Sequence, residues 1–164
     1  MTGKGSVNHN SRKFHAKNTD PNRTHWNVEY CNEDIKDVYH ELFDDALKRY
    51  NDKQTRKDRK IDDYYEKIRS GKQEKLFHEV ILQIGDKDNM GSETMEGQLA
   101  AKILDEYMKG FQERNPTLRV FAAHLHLDEA TPHLHIDFIP YVTGSKRGLD
   151  TRVSLKQALS SLGF

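Results

Sequence analysis

The chain has 164 residues, a length that fits one domain with a core of its own. It carries 26 basic and 26 acidic side chains, a balance that does not favour a global attraction to nucleic acid and does not exclude a local basic surface. A single cysteine, Cys31, excludes an internal disulfide framework and fits a reducing compartment. No apolar run approaches the roughly 20 residues of a membrane helix, and no signal-peptide core is present, so we expect a cytoplasmic protein.

The first half of the chain is predicted to be a polar segment followed by two helices. Residues 1–30 are rich in turn formers, with a short strand at residues 26–30. Apolar residues spaced by three and four predict a helix over residues 33–50, for which Asn32 or Asp34 would be the N-cap.

A charged stretch at residues 51–60 separates this helix from a second one. The second helix carries Tyr64 and Tyr65 on its apolar side and ends near Gly71.

The second half is predicted to alternate strands and helices. Residues 75–85 form a strand, and a helix then runs to about Arg114, with Ser92 or Thr94 as its cap. Residues 154–161 form the last helix. An apolar residue stands at every fourth position of the long helix: Met95, Leu99, Ile103, Tyr107 and Phe111. The order of elements predicts an α+β fold, an antiparallel sheet with helices packed on one face.

Four histidines are concentrated in a predicted hairpin between these helices. Residues 118–127 and 132–141 have the composition of strands, and residues 128–131 would be the loop between them. Because side chains alternate along a strand, one face of the hairpin carries all four imidazoles: His124, His126, His133 and His135. A divalent metal is the usual reason to gather imidazoles in this way.

Three imidazoles hold Zn²⁺, Mn²⁺, Ni²⁺ or Co²⁺ and leave coordination positions open for a substrate oxygen. A closed zinc site of the cysteine-rich kind is disfavoured because Cys31 is alone, and the spacing is not the His-Glu-x-x-His of zinc proteases. Asp128 and Glu129 stand beside the histidines. They could orient an imidazole, bind metal weakly or act as a base, or be ordinary turn residues.

Three ordered motifs resemble those of one family. His126-x-Asp-Glu-x-x-Pro-His-x-His135 resembles the metal motif of the MOBV plasmid mobilisation relaxases, also called plasmid recombination or Pre/Mob proteins, which are HUH endonucleases. His9-Asn10-Ser11-Arg12 is similar to the family's His-Asn-x-Arg, and residues 20–27 to its second motif. The resemblance covers about residues 7–164.

The resemblance implies nicking of one DNA strand at a plasmid transfer origin, with the protein linked to the 5′ end and a free 3′-OH left behind. A divalent metal, Mn²⁺ or Mg²⁺ with Zn²⁺ as an alternative, would be held by His126, His133 and His135. His124 would be a neighbour of these ligands, and Asp128 would support them.

The resemblance also implies the nucleophile. His9 would attack the phosphate, Arg12 would stabilise its charge, and Glu129 would accept or orient the proton on His9. Most HUH enzymes use a tyrosine instead, so Tyr64 and Tyr65 compete for this role, although their place on an apolar helix face favours packing in the core.

The expected partner is single-stranded or hairpin origin DNA. Basic residues could follow its phosphates and aromatic residues could stack on unpaired bases. The candidate DNA-binding residues are Asn10, Arg23, His25, Trp26, Asn27, Arg56, Lys57, Arg59, Lys60, Lys146 and Arg147.

The family implies an HUH relaxase fold with a ferredoxin-like or palm-type core, here a single relaxase domain over residues 1–164. Its first strand normally precedes the His-Asn-x-Arg motif, yet only eight residues precede His9, so either that strand is missing or Met1 is an internal start. Family members continue into a helical region that serves dimerisation, and from the resemblance we expect this chain to lack that region after Phe164. Two alternatives therefore stand beside the relaxase: a non-catalytic module that binds origin DNA, and another three-histidine phosphodiesterase or hydrolase.

Overall fold

The structure is a computed structural model that describes residues 7–14 and 16–164. Contacts between residues divide the chain into two compact units. The first unit comprises the residues up to Asn32 together with 78–116 and 122–138, and the second comprises 33–77, 117–121 and 139–164. The description of residues 1–164 as a single domain stays a prediction.

The helices and strands are numbered in chain order. The helices are α1 (Val7–Asn10), α2 (Ile35–Asp52), α3 (Tyr64–Ser70), α4 (Met95–Lys109), α5 (Phe111–Arg114) and α6 (Leu155–Ser161). The strands are β1 (Val28–Asn32), β2 (His78–Gln83), β3 (Leu118–His126), β4 (His133–Val142) and β5 (Arg152–Val153). Short 3-10 turns lie at Thr24–Trp26 and Lys57–Arg59.

The strands form an antiparallel sheet in the order β1-β3-β4-β2, and β5 pairs with β4. This confirms the predicted α+β class with its antiparallel sheet. The strand expected at residues 26–30 begins two residues later, and its pairing with β3 is irregular between Glu29 and Cys31. The question of a strand before His9 falls on residues 1–6, which lie outside the described residues.

Helix α4 of the first unit is stabilised by an N-cap hydrogen bond and by the packing of a narrow row of buried residues. The hydroxyl of Thr94 accepts the N–H of Gly97 at 3.0 Å. The buried positions are Gly97, Ala100, Leu104 and Met108. Of the apolar row at every fourth position, the members on α4 point to solvent, from Met95 at 84% exposure to Tyr107 at 40%, and only Phe111 is buried. Gly97 packs so closely that a Cβ there would lie 1.9 Å from the carbonyl oxygen of Gly91. The long helix predicted to Arg114 is interrupted at Gly110.

The second unit is built around α2. The carboxylate of Asp34 accepts the N–H of Lys36 at 2.8 Å, so Asp34 rather than Asn32 is the cap. Tyr64 of α3 packs against Phe43 of α2 with ring centroids 4.9 Å apart, and its hydroxyl accepts the N–H of Val153.

Burial also raises the pKa of Tyr64, which keeps its hydroxyl protonated. Tyr65 packs edge-on against Tyr39, with ring centroids 5.2 Å apart. These contacts favour core packing for the two tyrosines. Among the described residues, no helix combines the length and the apolar character needed to cross a membrane.

Candidate metal centre

Strands β3 and β4 bring three histidines together at one end of the hairpin. His133 and His135 share a face of β4 because they are two residues apart, and His126 ends β3 beside them. One ligand atom from each ring lies within 4.8 Å of the others. The ring centroids are 4.9 to 5.2 Å apart, so the imidazoles form a compact cluster.

Each imidazole of the cluster has one nitrogen engaged with the protein. The pairs are Nε2 of His126 with the carbonyl of Asn10 at 2.8 Å, Nδ1 of His133 with the carbonyl of Thr131 at 2.9 Å, and Nδ1 of His135 with Oε1 of Glu79 at 2.7 Å. A carbonyl or carboxylate oxygen only accepts, so the engaged nitrogen must donate its hydrogen. The other nitrogen of each ring then has a free lone pair.

This arrangement fits a divalent metal. Nδ1 of His126 is buried and has no hydrogen-bond partner, as expected of an atom that is reserved for a ligand. Burial lowers the pKa of His126 to about 3, and it also lowers the pKa of His133, so both rings stay neutral near pH 7. Metals bind neutral imidazole, and three such ligands leave coordination positions open. The cluster can therefore hold a divalent metal, which agrees with the predicted cofactor.

His124 stands outside the cluster. Its Nε2 lies 3.1 Å from Oε2 of Glu29 on the neighbouring strand β1. Its ring centroid is 6.2 Å from that of His126. The fourth histidine is thus a neighbour of the three, as the motif implied.

The His-Asn-x-Arg segment lies against this cluster. Nε2 of His9 is 3.7 Å from Oε1 of Glu129 and 3.3 Å from Nη1 of Arg12. The ring centroids of His9 and His126 are 6.3 Å apart, although the two residues are far apart in the chain. The fold therefore brings His9, Arg12 and Glu129 to the three histidines.

Arg12 connects the segment to the hairpin loop. Its guanidinium donates to both carboxylate oxygens of Asp128, at 2.9 and 2.5 Å, and to Oε1 of Glu129 at 2.8 Å. Burial of Asp128 works against its ionisation, but the donors from Arg12, Asn27 and Thr24 outweigh it and hold the pKa of Asp128 at about 2. Asp128 thus binds Arg12 and fixes the hairpin loop. It acts on the histidine cluster indirectly, through these neighbours.

Replacing Arg12 with alanine is expected to destabilise the protein by about 3 kcal/mol, because it leaves the fully buried carboxylate of Asp128 without its cation. Urea unfolding followed by circular dichroism measures this difference. Arg69→Ala is the matched control, since the Arg69–Glu66 ion pair is exposed and is expected to contribute less than about 1 kcal/mol. Equal losses in the two variants would contradict the structural role of Arg12.

Comparison with known proteins decides the family. Residues 4–162 match the family described as plasmid recombination enzyme. The chain belongs to this family. The resemblance to the MOBV relaxases, also called Pre/Mob proteins, is thereby confirmed.

Two relatives of the plasmid recombination enzyme family extend the comparison. A plasmid recombination enzyme of Streptococcus agalactiae is 24% identical over 165 residues, which cover 96% of this chain and 30% of that protein. A manganese-bound crystal structure of the MobM relaxase domain with a 22-nucleotide oriT DNA of plasmid pMV158, at pH 5.5, is 27% identical with a TM-score of 0.54. The match covers 92% of this chain and 67% of that domain. The chain thus spans less than a third of the length of the Streptococcus agalactiae relative.

Two carboxylates beside the candidate metal centre were not predicted from the sequence. Glu79 of β2 binds His135, and Asp137 of β4 is fully buried opposite Glu79 in the strand register. Burial, together with the charge of Glu79, raises the pKa of Asp137 to about 7. Alternation along β4 could have identified Asp137, because it shares a face with His133 and His135.

Three of the predicted DNA-binding residues form hydrogen bonds inside the protein. The amide of Asn10 donates to Glu79 at 2.8 Å. Arg23 donates to Asp20 and to the carbonyls of Leu127 and Glu129. Asn27 accepts the N–H groups of Leu127 and Asp128. These side chains hold the segment and the hairpin loop in place, and a contact with DNA stays a prediction for them.

The other predicted DNA-binding residues are exposed. His25 and Trp26 stack edge-on with ring centroids 5.9 Å apart, and Trp26 is 39% exposed. The basic residues lie at the surface of the second unit: Arg56, Lys57, Arg59, Lys60, Lys146 and Arg147. Arg56 forms an ion pair with Asp58. Their role in binding DNA stays a prediction.

Proposed function

We propose that this chain is a metal-dependent relaxase domain that nicks one strand at a plasmid transfer origin and becomes linked to the 5′ end of the DNA. The observation that carries this proposal is the placement of His9 beside Glu129 and the three-histidine cluster. Membership of the plasmid recombination enzyme family supports it, as does the relative whose manganese-bound structure contains oriT DNA. Plasmid mobilisation or recombination in the cytoplasm would be the setting.

His9 would form the covalent bond. A neutral imidazole attacks phosphorus through its unprotonated nitrogen, so a nitrogen–phosphorus bond forms while the bond from phosphorus to the 3′ oxygen breaks. The ring gives up the hydrogen on its other nitrogen, and the departing 3′ oxygen takes up a proton from solvent water to become a hydroxyl. Glu129, with Oε1 3.7 Å from Nε2 of His9, is the group within reach to receive the proton from the ring.

His126, His133 and His135 would hold the metal. When bound, the metal would polarise a phosphoryl oxygen as a Lewis acid and offset the charge that develops there. The related domain contains manganese, so we propose Mn²⁺ for this site as well.

Arg12 would act mainly on its neighbours. Its guanidinium already donates to Asp128 and Glu129, so much of its charge is balanced within the protein. By binding Oε1 of Glu129, it holds that carboxylate near His9. A direct contact with the phosphate would use Nη1, which faces His9.

The DNA would be unpaired around the scissile phosphate. Trp26 and His25 present exposed rings in the same unit as the candidate metal centre, and an exposed aromatic ring stacks on any unpaired base. Phe14 is 52% exposed, and its ring centroid lies 5.7 Å from that of His9. These rings favour single-stranded or hairpin DNA over a continuous duplex.

The test is a nicking assay on a supercoiled plasmid that carries the transfer origin of the replicon encoding this chain. With Mn²⁺, we expect open-circular product and a protein adduct that stays on the 5′ end in a denaturing gel. EDTA should remove both. Binding of origin DNA with no adduct would contradict the proposal and indicate a non-catalytic module, and cleavage without an adduct would indicate a hydrolase.

A further inference from the structure

Asn10 lies between the His9 segment and the metal ligands and contacts both sides. Its side-chain amide donates to Oε1 of Glu79 at 2.8 Å and to Oδ2 of Asp137 at 3.4 Å. Its backbone carbonyl accepts from Nε2 of His126 at 2.8 Å. Asn10 is only 2% exposed, so water does not compete for these hydrogen bonds.

We infer that Asn10 is a positioning residue that couples the segment carrying His9 to occupancy of the metal centre. The inference rests on the proposed metal-binding role of the three histidines. Asn10 is connected to two of these histidines. Its backbone carbonyl accepts a hydrogen bond from His126, and its side chain binds Glu79, which in turn binds His135. It was predicted to contact DNA, and its burial argues for this other role.

The side chain at position 10 has to donate. Glu79 and Asp137 are register partners on β2 and β4, so two acidic groups face each other in a buried place. An amide between them supplies N–H groups to both and lets Oε1 of Glu79 keep its bond to His135. An aspartate at position 10 would have the same shape, but it would add a third acid and remove the donors.

Coupling follows from the bond between His126 and the Asn10 carbonyl. A metal on Nδ1 withdraws electron density from the ring, so the N–H at Nε2 becomes a stronger donor to that carbonyl. Metal binding then stabilises α1, which begins at Val7 and includes His9. Linkage is reciprocal, so an ordered α1 must in turn raise the affinity for the metal.

A double-mutant cycle tests the inference with the chain as it stands and no DNA. Asn10→Asp is expected to weaken Mn²⁺ binding about 10- to 100-fold, as measured by electron paramagnetic resonance of free Mn²⁺. Combining it with Glu79→Gln should recover at least half of that loss on a logarithmic scale. Glutamine at position 79 reduces the facing acids from three to two, while its oxygen still accepts from His135.

A second readout follows the segment itself. Saturating Mn²⁺ is expected to slow trypsin cleavage after the exposed Lys13 several-fold in the wild type and to have no such effect in Asn10→Asp. Cleavage after the exposed Lys60 serves as the internal reference. Asn8→Asp is the matched control, because it adds the same charge to α1 at an exposed position, and it should bind Mn²⁺ within about twofold of the wild type.

The inference is overturned if Asn10→Asp binds Mn²⁺ as the wild type does, or if the double variant shows no recovery. If Asn10→Asp does not fold, Asn10→Ala removes the donors without adding charge and goes through the same measurements. Failure of the proposed function is a separate result, since it appears as absence of nicking while the metal cycle stays intact.

Discussion

The variant His9→Ala is expected to lose nicking and adduct formation by about a thousandfold or more, as befits removal of a nucleophile that forms a covalent intermediate. Its side chain makes none of the three bonds that orient the cluster imidazoles, so Mn²⁺ affinity should stay within about threefold of the wild type. Single-turnover cleavage of an end-labelled origin oligonucleotide measures the rate of nicking. Isothermal titration calorimetry measures the dissociation constant for Mn²⁺.

The tyrosines provide the controls for this experiment. Tyr64→Phe removes a buried hydroxyl that accepts from Val153, and Tyr65→Phe removes one from a ring packed on Tyr39. Both variants should nick and form adduct at near the wild-type rate. A His9→Ala variant that still nicks, or a tyrosine variant that forms no adduct, would show that the nucleophile is a tyrosine and not His9.

The variant His126→Ala should weaken Mn²⁺ binding by about a hundredfold or more, because a site of three protein ligands loses one of them. His124→Ala is a close control: it removes the same side chain two residues earlier on β3, from a ring that bonds Glu29 instead. At a Mn²⁺ concentration 100 times the wild-type dissociation constant, the metal should add about 2.7 kcal/mol to the unfolding free energy.

That gain should appear in full in the wild type and in His124→Ala, and it should fall to about 0.4 kcal/mol or less in His126→Ala. Denaturant unfolding with Mn²⁺ and with EDTA measures it. A His124→Ala variant that lost the gain as completely as His126→Ala would show that the ligand set is not the three histidines of the motif.

Local signals in the sequence were sufficient for the elements that position the cluster. The hairpin could be located because turn residues separate two apolar runs, and the shared face of His133 and His135 follows from alternation alone. The caps Asp34 and Thr94 were among the candidates because a short polar side chain precedes an apolar period.

Long-range geometry could not be obtained in this way. Glu79 meets His135 across 56 positions of the chain, and nothing around Glu79 distinguishes it from other acids in strands. The buried face of α4 could not be obtained from its apolar spacing either. Its large side chains dominate the helical pattern, but the close approach at Gly97 selects the face with small residues for burial.

Because β2 pairs with β4 in a fixed register, the number of residues in β2 is more strictly constrained than the identity of those residues. Glu79, Ile81 and Gln83 stand opposite Asp137, His135 and His133, so the acceptor and the imidazoles project from one side of the sheet. Inserting or deleting one residue within β2 would turn every following side chain to the other side. Descendants of this gene should therefore accumulate substitutions along β2 while insertions and deletions are confined to the loops on either side of it.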